Sequence, residues 1–151
     1  MNCSAEITLK IDVSMPSFVT TNQAYRSLHV LLADDDEFMQ QATILMLKAL
    51  GHTGVAVDNG SKVLACLAQR SFDIVLLDIM MPEMDGLACL AAIRKSEQLS
   101  GQHQRIIMLT GHAEPGDAQR LKNRGADGYI AKPLNITKLE TELLRVTSQQ
   151  Y

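Results

Sequence analysis

The chain has 151 residues, 46% of them apolar, with 14 Lys and Arg against 17 Asp and Glu for a formal charge of −3. That length suits one domain able to bury about 68–70% of its unfolded surface, and the apolar content excludes a chain disordered throughout. The charge excludes a basic footprint for direct nucleic-acid or anionic-membrane binding, and no apolar run approaches the ~20 residues that span a bilayer.

The first segment, Ala5 to Val13, alternates apolar and polar residues as a half-buried strand does, and a Ser/Pro/Thr/Asn stretch follows it. With no partner strand nearby, residues 1–27 read as an extension and linker: a mostly mobile tail, the end of a preceding domain, or a tail that packs on the sheet or on a neighbouring chain. From His29 onward, short apolar runs alternate with helical spacing, the pattern of βα units around a parallel sheet. The predicted strands are His29–Ala33, Thr53–Val57, Ile74–Leu77, Arg105–Leu109 and Gly128–Ala131. Three are dominated by Val, Ile and Leu, as burial on both faces requires, whereas the second and fifth are mixed, as edge strands are.

Between them, Met39, Ala42, Met46, Leu47 and Leu50 form one helical stripe that stops at Gly51. Leu64, Leu67 and Ala68 mark a second helix, and Leu87, Leu90, Ala91 and Arg94 a third. A polar loop is predicted over 96–104. Asp117 to Arg124 forms a short fourth helix before Gly125, and Leu139, Leu143 and Val146 mark a fifth capped by Asn135. Residues 28–147 thus predict an α/β fold of the doubly wound, flavodoxin-like kind: five parallel strands in the order 2-1-3-4-5, with five helices. Residues 148–151 are a short tail.

Chemistry gathers at the strand ends. The first strand runs into Asp34–Asp35–Asp36–Glu37 and the third into Asp78. In an open α/β sheet, ligands bind beyond the carboxyl ends of the strands where the order reverses, here between strands one and three. Asp34, Asp35 and Asp78 would converge there, and such close carboxylates repel one another unless a cation intervenes. Mg²⁺ suits them, with Mn²⁺ as its substitute, because it takes one or two carboxylates together with phosphate oxygens. The acidic run alone would serve equally well as a solvated helix N-terminus; Asp78 makes the difference. Thr110 and Lys132 end two further strands, where a hydroxyl and an ammonium suit a phosphoryl group.

The ordered motifs Ala33-Asp34-Asp35, Asp78-Ile-Met-Met-Pro82-Glu-Met-Asp85-Gly86, Leu-Thr110-Gly-His-Ala and Gly128-Tyr129-Ile-Ala-Lys132-Pro133 resemble the receiver domain of two-component response regulators. The resemblance runs from His29 to about Val146. It implies that Asp78 is the phosphoacceptor, that Asp35 and Asp78 bind Mg²⁺, that Asp34 acts through water, and that the Met80 backbone carbonyl completes the protein ligands. Lys132 would contact the phosphoryl group, and Thr110 would swing toward it, coupled to a rotamer switch at Tyr129. Lys132–Pro133 occupies the position of a cis peptide in the family. Met80 and His112, two residues beyond Asp78 and Thr110, would flank the path of attacking water and tune phosphoryl lifetime.

The implied partners are a histidine kinase or a histidine phosphotransfer protein, with homodimerisation through the face of the fourth helix, fifth strand and fifth helix. The implied setting is cytoplasmic phosphorelay signalling. The domain would be no conventional enzyme but an acceptor that catalyses its own phosphorylation and dephosphorylation. The N-terminal segment and the loop over 96–104 are similar to those of receivers in hybrid sensor kinases. A Mg²⁺-dependent aspartyl-phosphate phosphatase is the enzyme alternative, but its DxD signature fails because Ile79 and Met80 follow Asp78. A flavin- or nucleotide-binding domain of the same topology would want a glycine-rich phosphate loop where Asp34–Glu37 stands. Met80, Met81 and Met84 are expected to pack beneath the acceptor loop. Cys3, Cys66 and Cys89 form neither a disulfide framework nor a zinc site, which fits a reducing compartment.

Overall fold

The structure, a computed structural model, describes residues 26–150; the alternating segment 5–13 and most of the linker lie outside them. Five strands, β1 (His29–Ala33), β2 (Thr53–Val57), β3 (Ile74–Asp78), β4 (Ile106–Thr110) and β5 (Gly128–Ala131), alternate with five helices. These are α1 (Glu37–Ala49), α2 (Gly60–Gln69), α3 (Gly86–Ser100), α4 (Asp117–Asn123) and α5 (Ile136–Thr147). All strand pairs are parallel, in the order β2-β1-β3-β4-β5.

The period of two along each strand divides the core. Leu31, Ala33, Val75, Leu77, Ile106 and Met108 face α2, α3 and α4 through Val63, Cys89, Leu90, Ile93 and Leu121. Val30, Leu32, Ile74, Leu76, Ile107 and Leu109 face α1 and α5 through Leu47, Leu139, Leu143 and Val146. Strands β3 and β4 are buried at every position, whereas the edge strands β2 and β5 are only partly so, which is why their sequences are mixed.

Strand β4 starts one residue later than predicted, at Ile106, and includes Thr110. The larger difference lies in the predicted loop over 96–104. Helix α3 continues to Ser100 and stops at Gly101, whose φ of 71° is left-handed. Its last turns are polar because they project past the sheet into solvent, where Leu99 is 93% exposed, and polarity on such a turn mimics a loop. Arg94, on the apolar stripe of α3, is a half-buried hub rather than a solvated residue. It donates to the Gly125 and Gln104 carbonyls, both at 2.8 Å, and pairs with Glu97 and Asp127 at 2.6 and 2.9 Å. Glu97 and Asp127 in turn accept from the backbone N–H groups of Gln104 and Ile106. This network ties α3 to the starts of β4 and β5, at the end of the sheet opposite the acidic residues.

Candidate functional site

Register assembles the site. Ala33 pairs with Leu77, so Asp34 and Asp78 follow side by side; Thr110 pairs with Ala131, so Lys132 follows on the same rim. One oxygen from each of Asp34, Asp35 and Asp78 falls within 4.8 Å of the others. Asp34 and Asp78 are buried, at 1% and 4% exposure, while Asp35 is open to solvent. Asp36, next in the acidic run, belongs to the helix instead. It is the N-cap of α1, its side chain accepting from the N–H groups of Phe38 and Met39.

Lys132 donates to Oδ2 of Asp78 at 2.7 Å and to Oδ2 of Asp34 at 3.4 Å. It is placed by a cis bond to Pro133. Burial pushes the Asp78 carboxyl above its ordinary value, and Asp34 adds to this, against the pull of Lys132 and of the Met80 N–H. Burial opposes the Lys132 charge, but its hydrogen bond to Asp78 and the charges of Asp78 and Asp34 outweigh it, and the ammonium is held above its usual range. Three carboxylates against one ammonium leave the site short of positive charge. An all-oxygen donor set at such spacing, two members of it out of water, fits a hard divalent cation.

Three backbone features hold this arrangement. The Met80 N–H donates to Oδ1 of Asp78 at 3.2 Å. Gly86 lies so close to the end of β3 that a Cβ there would collide with the Asp78 carbonyl, and Asp85 before it caps α3 through Ala88 N–H. Gln40, which the sequence pattern does not single out, donates to the Asp34 carbonyl at 2.6 Å and the Val57 carbonyl at 3.3 Å, bridging the ends of β1 and β2. The only hint in the sequence is an amide one turn into the helix that follows the acidic run.

Thr110 is buried, and its Oγ1 donates to the His112 carbonyl at 2.8 Å while accepting from the His112 N–H at 3.2 Å. The exposed His112 ring acts on Asp117 of α4, whose carboxyl it helps to lower after the Glu114 backbone and Arg120. Tyr129 is half-buried against the α2–α3–α4 core cluster and lines a groove of about 530 Å³ with Lys122, Glu142 and Arg145. Of the three clustered methionines, Met81 is buried and Met84 packs over Gly60. Met80 departs from the expected place beneath the loop: the residue is 74% exposed, while its backbone N–H stays bonded to Asp78.

A family model for the response regulator receiver domain matches residues 30–144. The chain belongs to this family. A chemotaxis response regulator of Vibrio cholerae shares the fold with a TM-score of 0.72 at 30% identity, over 80% of this chain and 99% of that one. The receiver domain of a sensor histidine kinase from Pseudomonas aeruginosa, solved with a magnesium ion coordinated in its active-site cleft, has a TM-score of 0.72 at 28% identity, over 82% of this chain and all of that one. Among curated proteins, the sensor histidine kinase GacS of Pseudomonas protegens is 33% identical over 123 residues, and the hybrid signal transduction protein dokA of Dictyostelium discoideum 31% over 130. The receiver covers 81% and 85% of this chain in those alignments but only 13% and 8% of the two proteins' lengths. Among the described residues, no helix is long and apolar enough to cross a membrane.

Proposed function

We propose that this receiver, taken as residues 28–147, accepts a phosphoryl group on Asp78 from a phosphohistidine of a histidine kinase or a histidine phosphotransfer protein, in a Mg²⁺-dependent reaction in the cytoplasm. The observation that carries the reading is the pairing of Lys132 with Asp78 at 2.7 Å inside a carboxylate cluster at the switch point of the sheet. An Asp78 oxygen attacks phosphorus as the P–N bond to the donor imidazole breaks, and the imidazole leaves as the neutral base. Lys132 then turns from the carboxylate to a phosphoryl oxygen. Mg²⁺, held by Asp35, Asp78, the Met80 carbonyl and, through water, Asp34, would neutralise charge on the transferring group.

Phosphorylation brings about −1.5 to −2 charge and strong acceptor oxygens to the rim. For Thr110 to donate to them, its Oγ1 must give up its bonds to the His112 backbone. That movement alters the loop before α4 and the surroundings of Tyr129, so the groove between α4, β5 and α5 changes shape. This face is the one through which the domain would signal or dimerise. The share of the two curated relatives that the chain covers supports an origin within a hybrid sensor kinase.

Incubation with a small acyl phosphate and Mg²⁺ tests the reading. An acid-labile, hydroxylamine-sensitive label should form on the wild type and be absent from Asp78→Asn. Steady turnover of an external phosphomonoester, with no label, would favour the phosphatase alternative instead.

A further inference from the structure

Six methionines fall among the described residues, and Met80 alone is exposed. Met81 and Met108 are buried and Met39, Met46 and Met84 half-buried. Its backbone N–H donates to Oδ1 of Asp78, so this exposed side chain branches from backbone that touches the acceptor. Among the described residues the two thiols compete poorly. Cys89 is buried and pushed up to about 11 by that burial, so it carries little of the thiolate that oxidants attack, and Cys66 is half-buried on α2.

We propose that Met80 is an oxidation site, and that its conversion to the sulfoxide by hydrogen peroxide shortens the life of the phosphoryl group on Asp78; this rests on Asp78 being the acceptor. In the chemical step a lone pair on Met80 Sδ attacks one peroxide oxygen. The S–O bond forms as the O–O bond breaks, and the departing hydroxide takes the proton of the transferred oxygen and leaves as water, so that the sulfoxide is neutral. Sulfur loses two electrons and peroxide gains them. A dithiol-dependent sulfoxide reductase reverses the change, yielding a disulfide and water.

The two oxidation states differ in what they offer water. A thioether is a weak acceptor, and an apolar chain beside Asp78 leaves a hydrolytic water without an anchor. The sulfoxide oxygen is a polar acceptor on the same flexible chain, able to hold such a water against the phosphoryl group. One hydrogen bond of about 1 kcal/mol gained in the transition state accelerates hydrolysis about fivefold.

The experiment treats wild type, Met80→Leu and Met80→Gln with dilute hydrogen peroxide, maps added oxygen by peptide mass spectrometry, and follows loss of phosphate from the acyl-phosphate-labelled proteins in Mg²⁺. Among the methionines of residues 26–150, wild type should gain oxygen first at Met80, and it should then lose phosphate about fivefold faster, an effect that a sulfoxide reductase undoes. The rate for Met80→Leu should not respond to peroxide, and untreated Met80→Gln should already be faster than untreated wild type. First oxidation at another of residues 26–150, or a Met80 sulfoxide that leaves the rate unchanged or slower, overturns the proposal. Label that persists in Asp78→Asn would instead overturn the acceptor assignment, a failure that the oxidation map does not share.

Discussion

Lys132 on the rim after β5 reaches back across β4 to donate to Asp78 at the end of β3, at 2.7 Å. Even so, the Asp78 carboxyl stays above its ordinary value, burial being the dominant cause. A carboxyl raised in the folded state contributes its stability fully below the unfolded pKa and loses it as pH rises through the folded one. At neutral pH the ionised Asp78 is therefore a net burden on the metal-free protein.

Asp78→Asn should for that reason raise the melting temperature of the metal-free domain at pH 7 by a few degrees while abolishing phosphate acceptance. Lys132 keeps Asp34 as its partner in the variant. The gain should shrink as pH falls toward the carboxylate range, where wild-type Asp78 takes up its proton. Thermal melts of both proteins across pH check this; a variant less stable than wild type at pH 7 contradicts it.

Metal should invert that dependence. A cation bound only by the folded state adds about 2.7 kcal/mol at a concentration a hundred times its dissociation constant. Protons compete for the same oxygens, first at Asp78 because its carboxyl is raised. Stabilisation by Mg²⁺ should thus fade on acidification while pH is still above the range of an ordinary carboxylate. Asp35→Asn, which alters an exposed residue, should remove most of the Mg²⁺ effect and leave the metal-free melt nearly unchanged. Gln40→Ala should weaken Mg²⁺ binding less, by releasing the Asp34 carbonyl. Melts and calorimetric titrations with and without Mg²⁺ measure all three.

At the opposite end of the sheet, Arg94→Met should cost about 3 kcal/mol, because it takes from the half-buried carboxylates of Glu97 and Asp127 their shared guanidinium and leaves them His103 and two backbone N–H groups. In a domain of this size that is a fall of about 10 °C in melting temperature. Arg94→Lys should recover only part of it, since an ammonium cannot make the same fork of bonds. Acceptance of phosphate by Asp78 should persist at temperatures where the variant is folded. Denaturant unfolding and the labelling assay together read both outcomes.

The strands are legible in the sequence because a strand buried on both faces has to be a run of Val, Ile and Leu, and Leu31, Leu76 and Ile107 are such residues. The strand order follows from the same cause, since only the edges tolerate Gly54 and Tyr129. The carboxylates can be brought together from sequence because each ends its strand, and parallel register does the rest. Contacts between a side chain and a distant backbone group leave no such trace. Gln40 works through two carbonyls and Arg94 through two more. A Gln or Arg on a helix looks the same whether it serves the fold or the solvent. Met80 defies its sequence pattern in a related way: composition says that methionine prefers the core, but this one is exposed while its N–H is bonded to Asp78.

Phosphoryl lifetime separates the two residues expected to flank the attacking water. Met80 is exposed with its N–H bonded to the acceptor, whereas His112 meets Thr110 through its backbone and its side chain is exposed. Met80→Asn puts an amide able to orient water where an apolar chain was, and should speed dephosphorylation about fivefold, the effect of one hydrogen bond of about 1 kcal/mol in the transition state. His112→Ala removes a ring that lies off the reaction path and should change the rate little. Decay of the hydroxylamine-sensitive label from each protein, measured in excess Mg²⁺ after removal of the donor, tests both. A sharp slowing in His112→Ala would mean that the ring reaches the phosphoryl group once it forms, and serves there as a base for water. If neither variant differs from wild type, lifetime is governed by the grip of Lys132 on the phosphoryl oxygens, and Lys132→Arg, whose planar guanidinium cannot sit between Asp78 and Asp34 in the same way, becomes the variant whose rate must move.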